Sequence, residues 1–292
     1  MAAASTEPSD RAEDGLPAHV TGDQTPGVHP AGELPVDRYS LLGVHVSVTT
    51  FEAARDRVVN APRTGERLSV HYISVNTIVE ANRQLELRDL LNRGDIVAPD
   101  GMPLVWMGRL RGRQMTRVYG PDSMLAIIDH AQQHGGTHYF YGGADGVPEL
   151  LKERLLRDYP RMKVVGMYSP PFRALTLEED EAVVQQINEA NPDFVWIGLG
   201  SPKQDQWVAN HRDRLNAAAI LAVGAAFDYN AGLLRKAPRW MQRSGLQWFF
   251  RLVTEPRRLW KRYTVSNARF LWLLALDSLK ALGGRLPVVG GR

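Results

Sequence analysis

The chain has 292 residues, no cysteine, 35 Lys+Arg against 32 Asp+Glu, and 44% hydrophobic residues. That length supports a full core and the composition excludes wholesale disorder; the missing cysteine excludes disulfide frameworks, iron–sulfur clusters, Cys-ligated zinc and thiol nucleophiles. The near-neutral total hides a division: residues 235–292 carry 13 Lys/Arg and two acids, net +11, and the preceding 234 residues net −8.

In chain order, residues 1–38 read as a disordered acidic leader. They hold five Pro and seven acids, and too little bulky apolar surface to offset ordering entropy. They lack the basic start and apolar core of a secretory signal, so the body is expected in the cytoplasm. Residues 39–234 alternate strand and helix. Strands are predicted at Val70–Val75, Asp95–Ala98, His138–Tyr141, Lys163–Tyr168, Phe194–Leu199 and Ile220–Val223, each short and rich in β-branched or aromatic residues. Helical spacing lies between them, as in Ile78, Leu85, Leu87, Leu90 and Leu91. The expected fold is α/β, Rossmann-like, with a mostly parallel sheet and helices on both faces.

Ligands of such sheets bind beyond the carboxyl ends of the strands, so the loops after each strand carry the candidates. After the first come Ser74 and Asn76, two apart on one side of an extended chain. Both could hydrogen-bond a ligand; alternatively Asn76 caps the next helix. After the second comes Asp100, before a Gly. It could be a general base or a turn residue. Arg117 precedes a Gly-Pro-Asp helix start and could meet a carboxylate or phosphate, or be a plain surface residue. Gly142 and Gly143 could bring backbone N–H groups to a phosphate, though they form no G-x-G-x-x-G or Walker pattern. Gly198 and Gly200 permit close approach, and Lys203 and Gln204 follow at a helix start, facing phosphate and sugar hydroxyls or solvent. Asp228 could hold a ribose or sit in a turn.

Other chemistries lack support. No Asp-x-Asp clamp for a metal–diphosphate occurs. His130, His134 and His138 are spaced by four, but Gly135-Gly136 interrupts the helix that would align them. No G-x-S-x-G elbow is present.

Residues 235–284 form the basic end, with Trp240, Trp248, Trp260 and Trp272. Two helices are predicted, Pro238–Glu255 and Pro256–Leu282. Leu259, Tyr263, Phe270 and Leu274 form a stripe on the second, with Arg257, Arg258, Lys261 and Arg262 near its start. Such a segment suits an anionic membrane surface, or a hairpin packed on the body. Its longest apolar run is far short of the roughly 20 residues a membrane span needs. Residues 285–292 read as a flexible tail.

Taken together the loops form an ordered set: Asn76-Thr77, Ala98-Pro-Asp-Gly101, Arg117-Val-Tyr-Gly120, Tyr141-Gly-Gly143, Gly198-Leu-Gly-Ser-Pro-Lys-Gln204, Gly224-Ala-Ala-Phe-Asp228, Arg235-Lys-Ala-Pro238 and Gly245-Leu-Gln-Trp-Phe-Phe-Arg251, then Glu255 through Tyr263. In this the sequence resembles the WecG/TagA/CpsF glycosyltransferases of bacteria, over roughly Leu41 to Leu282. The resemblance implies an inverting, metal-independent transferase without cofactor. Its donor would be a UDP-sugar, typically UDP-N-acetylmannosamine or its uronic acid, and its acceptor a glycan on polyprenyl diphosphate. It also implies a peripheral site on the inner face of the cell membrane. Asp100 falls on the family's proposed general base, and Ser74 and Asn76 on its Thr-x-Asn pattern, with Ser replacing Thr. Arg117 and Gln204 fall on site positions. Arg251, Arg258 and Arg262 are candidates for the diphosphate, should the basic end close over the site. Gln247 stands where the family pattern has Glu. Two other classes remain in view, a nucleic-acid-binding protein using the basic end and a Rossmann oxidoreductase. Neither explains the ordered set, and no nucleic-acid partner is expected. Self-association is left open.

Overall fold

The computed structural model describes residues 37–283, without the side chains of 258, 261, 262 and 280–283. The expected leader, apart from its last two residues, and the expected flexible tail lie outside that range. Arg38 belongs to folded structure: β1 (Arg38–Leu41) and β2 (Val44–Ser47) form an antiparallel hairpin that the sequence reading lacks. Leu42 and Gly43 both take positive φ at its turn, the two-residue geometry that twists with the strands. The helix α1 (Phe51–Thr64) follows, opened by the Thr50 side chain accepting from Ala53 N.

The six predicted strands are all present: β3 (Leu68–Ile73), β4 (Ile96–Pro99), β5 (Thr137–Gly142), β6 (Lys163–Tyr168), β7 (Phe194–Gly198) and β8 (Ala219–Ala222). They form one parallel sheet in the order β4-β3-β8-β7-β5-β6. Every residue of β3 and β8 is buried, as expected for strands covered on both faces. Between β3 and β4 lie α2 (Val75–Arg83) and α3 (Leu85–Arg93); between β4 and β5 lie α4 (Met102–Leu110) and α5 (Gly120–Ala131). Then α6 (Val147–Asp158), α7 (Leu177–Ala190) and α8 (Lys203–His211) each precede the next strand. The hairpin covers the β4 edge, where Ser47 Oγ accepts from Val97 N at 2.9 Å, so that edge is not left open.

After β8 come α9 (Ala226–Asn230), α10 (Arg239–Arg243), α11 (Gln247–Thr254) and α12 (Pro256–Gly283). The single helix predicted for 238–255 is two, because Ser244-Gly245 ends α10. A Cβ at Gly245 would lie 2.6 Å from the Trp106 ring, so the chain runs hard against α4 before entering α11. The expected Leu259–Leu274 stripe faces the protein rather than lipid. Leu259 and Phe270 are 1% and 4% exposed, and Phe270 and Leu274 pack with Ile78 and Val79 of α2. What α12 turns outward is a second apolar set: Trp260, Val265, Leu271, Trp272 and Leu279. No helix among the described residues is long and apolar enough to cross a membrane.

Candidate active site

The carboxyl ends of β3, β4, β5, β7 and β8 open into one large cleft, walled on its far side by α11 and α12. Asp100, just past β4, sits at its floor. Its backbone N–H donates to Ile73 O at 2.9 Å, which pins the β4 exit to the end of β3. Arg117 Nη2 donates to Asp100 Oδ1 at 3.3 Å, and Arg117 Nε to the Asp100 carbonyl. The guanidinium also lies over the Tyr119 ring, 4.1 Å from its centre. It is therefore no free surface residue: its side chain is only 14% exposed.

Burial raises the Asp100 pKa above the usual carboxylate value. Arg117, the Gly120 N–H and Arg251 pull it down, and burial wins. The carboxylate keeps 24% of its side-chain surface open. A basic carboxylate with access to a cleft has the properties a general base needs.

Two groups on α11 reach this site, one turn apart on the same face. Gln247 accepts from Arg117 Nη2 through Oε1 and donates from Nε2 to the Tyr119 hydroxyl at 2.8 Å. Arg251 stands 5.7 Å from the Tyr229 ring centre, and its Nε is buried without a hydrogen-bond partner among the described residues. The 3.8 Å approach of its Nη2 to Glu255 is loose. Arg251 was legible in the sequence; Tyr119 and Tyr229 were not, because an aromatic beside a strand end reads as core. Gln247 was noticed only as a departure from a pattern, and its contact across 130 residues with Arg117 has no local signal.

Ser74 and Asn76 do not share a strand face. Ser74 precedes α2 as its cap residue, and Asn76 lies in the first turn. Thr77, not Asn76, completes the cap, its Oγ1 accepting from Ser74 N at 3.2 Å. Asn76 Oδ1 accepts from Ser266 Oγ of α12 at 2.8 Å, so this residue joins the body to the C-terminal helices at the cleft wall.

The glycine expectation changes too. Gly143 N donates to Gly198 O at 3.0 Å and is not offered to a ligand. Gly142 has φ +115°, and a Cβ there would lie 2.7 Å from the Gly198 backbone: these glycines bring β5 against β7. Gln204 is likewise committed to the backbone. Its Oε1 accepts from Gly200 N at 3.1 Å and its Nε2 donates to Ala222 O at 2.7 Å, so it braces the loop after β7 against the end of β8. Gly200 has open space around it, and Lys203 is exposed at the α8 start with no ion pair or hydrogen bond of its ammonium among the described residues. Both line the cleft, as does Asp228 at the start of α9. The Arg258 and Arg262 side chains lie outside the described residues.

The histidines spaced by four serve other ends. His138 is a core residue, accepting from Trp196 Nε1 at 3.1 Å and held neutral by burial, its pKa lowered to about 3. His130 contacts the Ala126 carbonyl of its own helix. Among the described residues no group of three His, Asp or Glu could hold a metal ion.

The model of the glycosyl transferase WecG/TagA/CpsF family matches residues 39–283. The chain belongs to this family. Two relatives in it bear the name N-acetylglucosaminyldiphosphoundecaprenol N-acetyl-beta-D-mannosaminyltransferase. That of Bacillus subtilis (strain 168) is 33% identical over 175 residues, covering 60% of this chain and 66% of the relative. That of Bacillus spizizenii (strain ATCC 23059 / NRRL B-14472 / W23) is 30% identical over 184 residues, covering 63% and 69%. The matched stretch thus spans about two thirds of each relative's length. Family members are glycosyltransferases, and the cleft is the place in this chain to look for that chemistry.

Proposed function

We propose that the chain is an inverting transferase that moves N-acetylmannosamine, its uronic acid or a related hexose from a UDP-sugar to a glycan carried on polyprenyl diphosphate. The observation that carries the reading is Asp100: a raised-pKa carboxylate at the cleft floor, with Arg117 and Arg251 beside it. The names of the two relatives supply the acceptor class and the sugar.

In the reaction, Asp100 takes the proton as the acceptor O–H bond breaks. The acceptor oxygen bonds to the anomeric carbon from the face opposite the diphosphate. The bond from that carbon to the diphosphate oxygen breaks, and UDP leaves with the electron pair. The developing negative charge needs cations held in place beforehand. Lys203 and Arg251 both line the cleft and can carry that charge; the Lys203 ammonium has no ion pair among the described residues, and Arg251 has Glu255 at 3.8 Å. We therefore expect turnover to survive EDTA unchanged; a loss restored by added magnesium would reassign the diphosphate to a metal.

The acceptor's lipid sets the second half of the proposal. The cleft wall formed by α4 and α12 is apolar, with Trp106, Leu110 and Leu271 exposed there. Trp240, Phe249, Trp260 and Trp272 are also exposed on the basic helices. Aromatic rings beside Arg and Lys suit the interface of an anionic bilayer, where the acceptor resides. The test is thermal shift against a panel of UDP-sugars, followed by transfer from the best donor to a synthetic lipid-diphosphate-linked N-acetylglucosamine. Stabilisation by a UDP-N-acetylmannosamine-type donor and a disaccharide-lipid product are expected. Stabilisation by NAD or DNA instead, with no transfer, would overturn the reading.

A further inference from the structure

The groups whose charge or polarity Asp100 feels come from the body, with one exception. Arg117, Tyr119, Tyr72 and Tyr229 belong to the sheet ends and the helices beneath. The α11 helix alone comes from the basic segment, and it brings Arg251 and Gln247. Arg251 acts through its charge. Gln247 carries none, yet makes two hydrogen bonds at the centre of the cluster.

The orientation of its amide follows from its partners. A guanidinium only donates, so the side facing Arg117 is the carbonyl oxygen and the NH2 faces the Tyr119 oxygen. Tyr119 is buried, which raises its pKa and keeps the phenol protonated. Its oxygen accepts from Gln247, and its own proton has no acceptor among the described residues. The amide thus fixes two things: the plane of the Arg117 guanidinium, pressed on the Tyr119 ring, and the direction in which the phenol can donate. Because it accepts from Arg117 without negative charge, it leaves Asp100 as the one carboxylate paired with that cation among the described residues.

We propose that Gln247 is a positioning residue for the proton-accepting step: a neutral bridge through which the docked C-terminal helices hold Arg117 and Tyr119 around Asp100. This rests on the transferase reading above. It makes the catalytic centre conditional on α11 sitting where it does. With α11 displaced, Arg117 loses an acceptor, Tyr119 loses a donor, and Arg251 leaves with them. It also makes the charge at position 247, where the family pattern has Glu, a feature that tunes the base in this chain. A carboxylate there would compete with Asp100 for Arg117 and set a second negative charge beside the base.

The test compares Gln247→Leu, Gln247→Glu and Gln247→Asn with the unaltered full chain. Transfer from a UDP-sugar to the synthetic lipid-linked acceptor is followed across pH, with UDP binding measured by calorimetry and melting recorded for each variant. For Gln247→Leu the proposal expects kcat to fall at least tenfold, with UDP affinity within threefold and melting unchanged within a few degrees. For Gln247→Glu it expects the acidic limb of the pH–rate profile to move to higher pH, because added negative charge near Asp100 favours its protonated form. A purely structural residue would move melting and leave that limb where it is. Gln247→Asn, which keeps the amide one methylene short, should fall between. Unchanged kcat and an unmoved limb in folded Leu and Glu variants overturn the proposal. Retained transfer in Asp100→Asn would instead sink the transferase base, whatever the Gln247 variants do, so the two failures are distinguishable.

Discussion

Asp100 sits where burial and positive charge oppose each other, and burial prevails. Its activity as a base therefore requires the ionised form and is lost as pH falls through its raised pKa. The kcat profile should show an acidic limb above the ordinary carboxylate range, absent in Asp100→Asn. The linkage to stability has the opposite sense: a carboxyl whose folded pKa exceeds its unfolded one favours the native state only while protonated, and costs stability once ionised. Asp100→Asn should therefore melt no lower than the natural chain at pH 7, and higher if the Arg117 contacts survive. A clear drop in melting temperature at that pH contradicts this. Gln204 shows what residue-scale reading leaves out. Its chemistry suits a sugar hydroxyl, and the sequence does not reveal that both ends of its amide are taken by Gly200 N and Ala222 O. Gln204→Ala should destabilise the fold by about 1–3 kcal/mol, the cost of leaving such buried groups unpaired, measured by denaturant unfolding.

The elements that position these residues divide by how local their causes are. The six sheet strands were legible because each is a short β-branched run buried on both faces, a pattern carried by the residues themselves. The β1–β2 hairpin was not, since Leu42-Gly43 is an unusual turn pair, Leu at positive φ being costly. The break before α11 has a local signal that a single-helix reading of 238–255 passes over: Gly245 takes φ +73° just past the end of α10, with the Trp106 ring close beside it. The Gly142-Gly143 pair could meet a phosphate on sequence grounds because a Gly pair after a strand looks alike whether it meets a ligand or a neighbouring strand. Here it meets Gly198, and Gly142→Ala would add a Cβ 2.7 Å from backbone at φ +115°. That change should cost at least about 1–3 kcal/mol and lower melting visibly; a melting temperature unchanged from the natural chain would show that β5 and β7 separate more easily than their geometry implies.

Across the whole molecule, the charge division marks a spatial one. The segment of net +11 contributes two helices to the cleft wall and turns a second, aromatic face outward. The sequence located this segment and its composition. It could not tell which of the two apolar faces of α12 meets protein, because both have helical spacing and only α2 decides. Trp240→Ser and Trp272→Ser alter the outward face alone, at 63% and 59% exposure. Together they should weaken partition to vesicles containing anionic lipid while leaving melting unchanged, and binding of the natural chain should fall as salt rises. Equal partition of the variant and the natural chain would detach the membrane from this face. The central claim, that Asp100 is the base of a glycosyl transfer completed by the C-terminal helices, is tested most directly by one comparison. UDP release dependent on a lipid-linked acceptor is measured for the full natural chain and for Asp100→Asn, with UDP affinity in parallel. The account predicts a loss of about 100-fold or more in rate at unchanged UDP affinity, and turnover near that of the natural chain would contradict it.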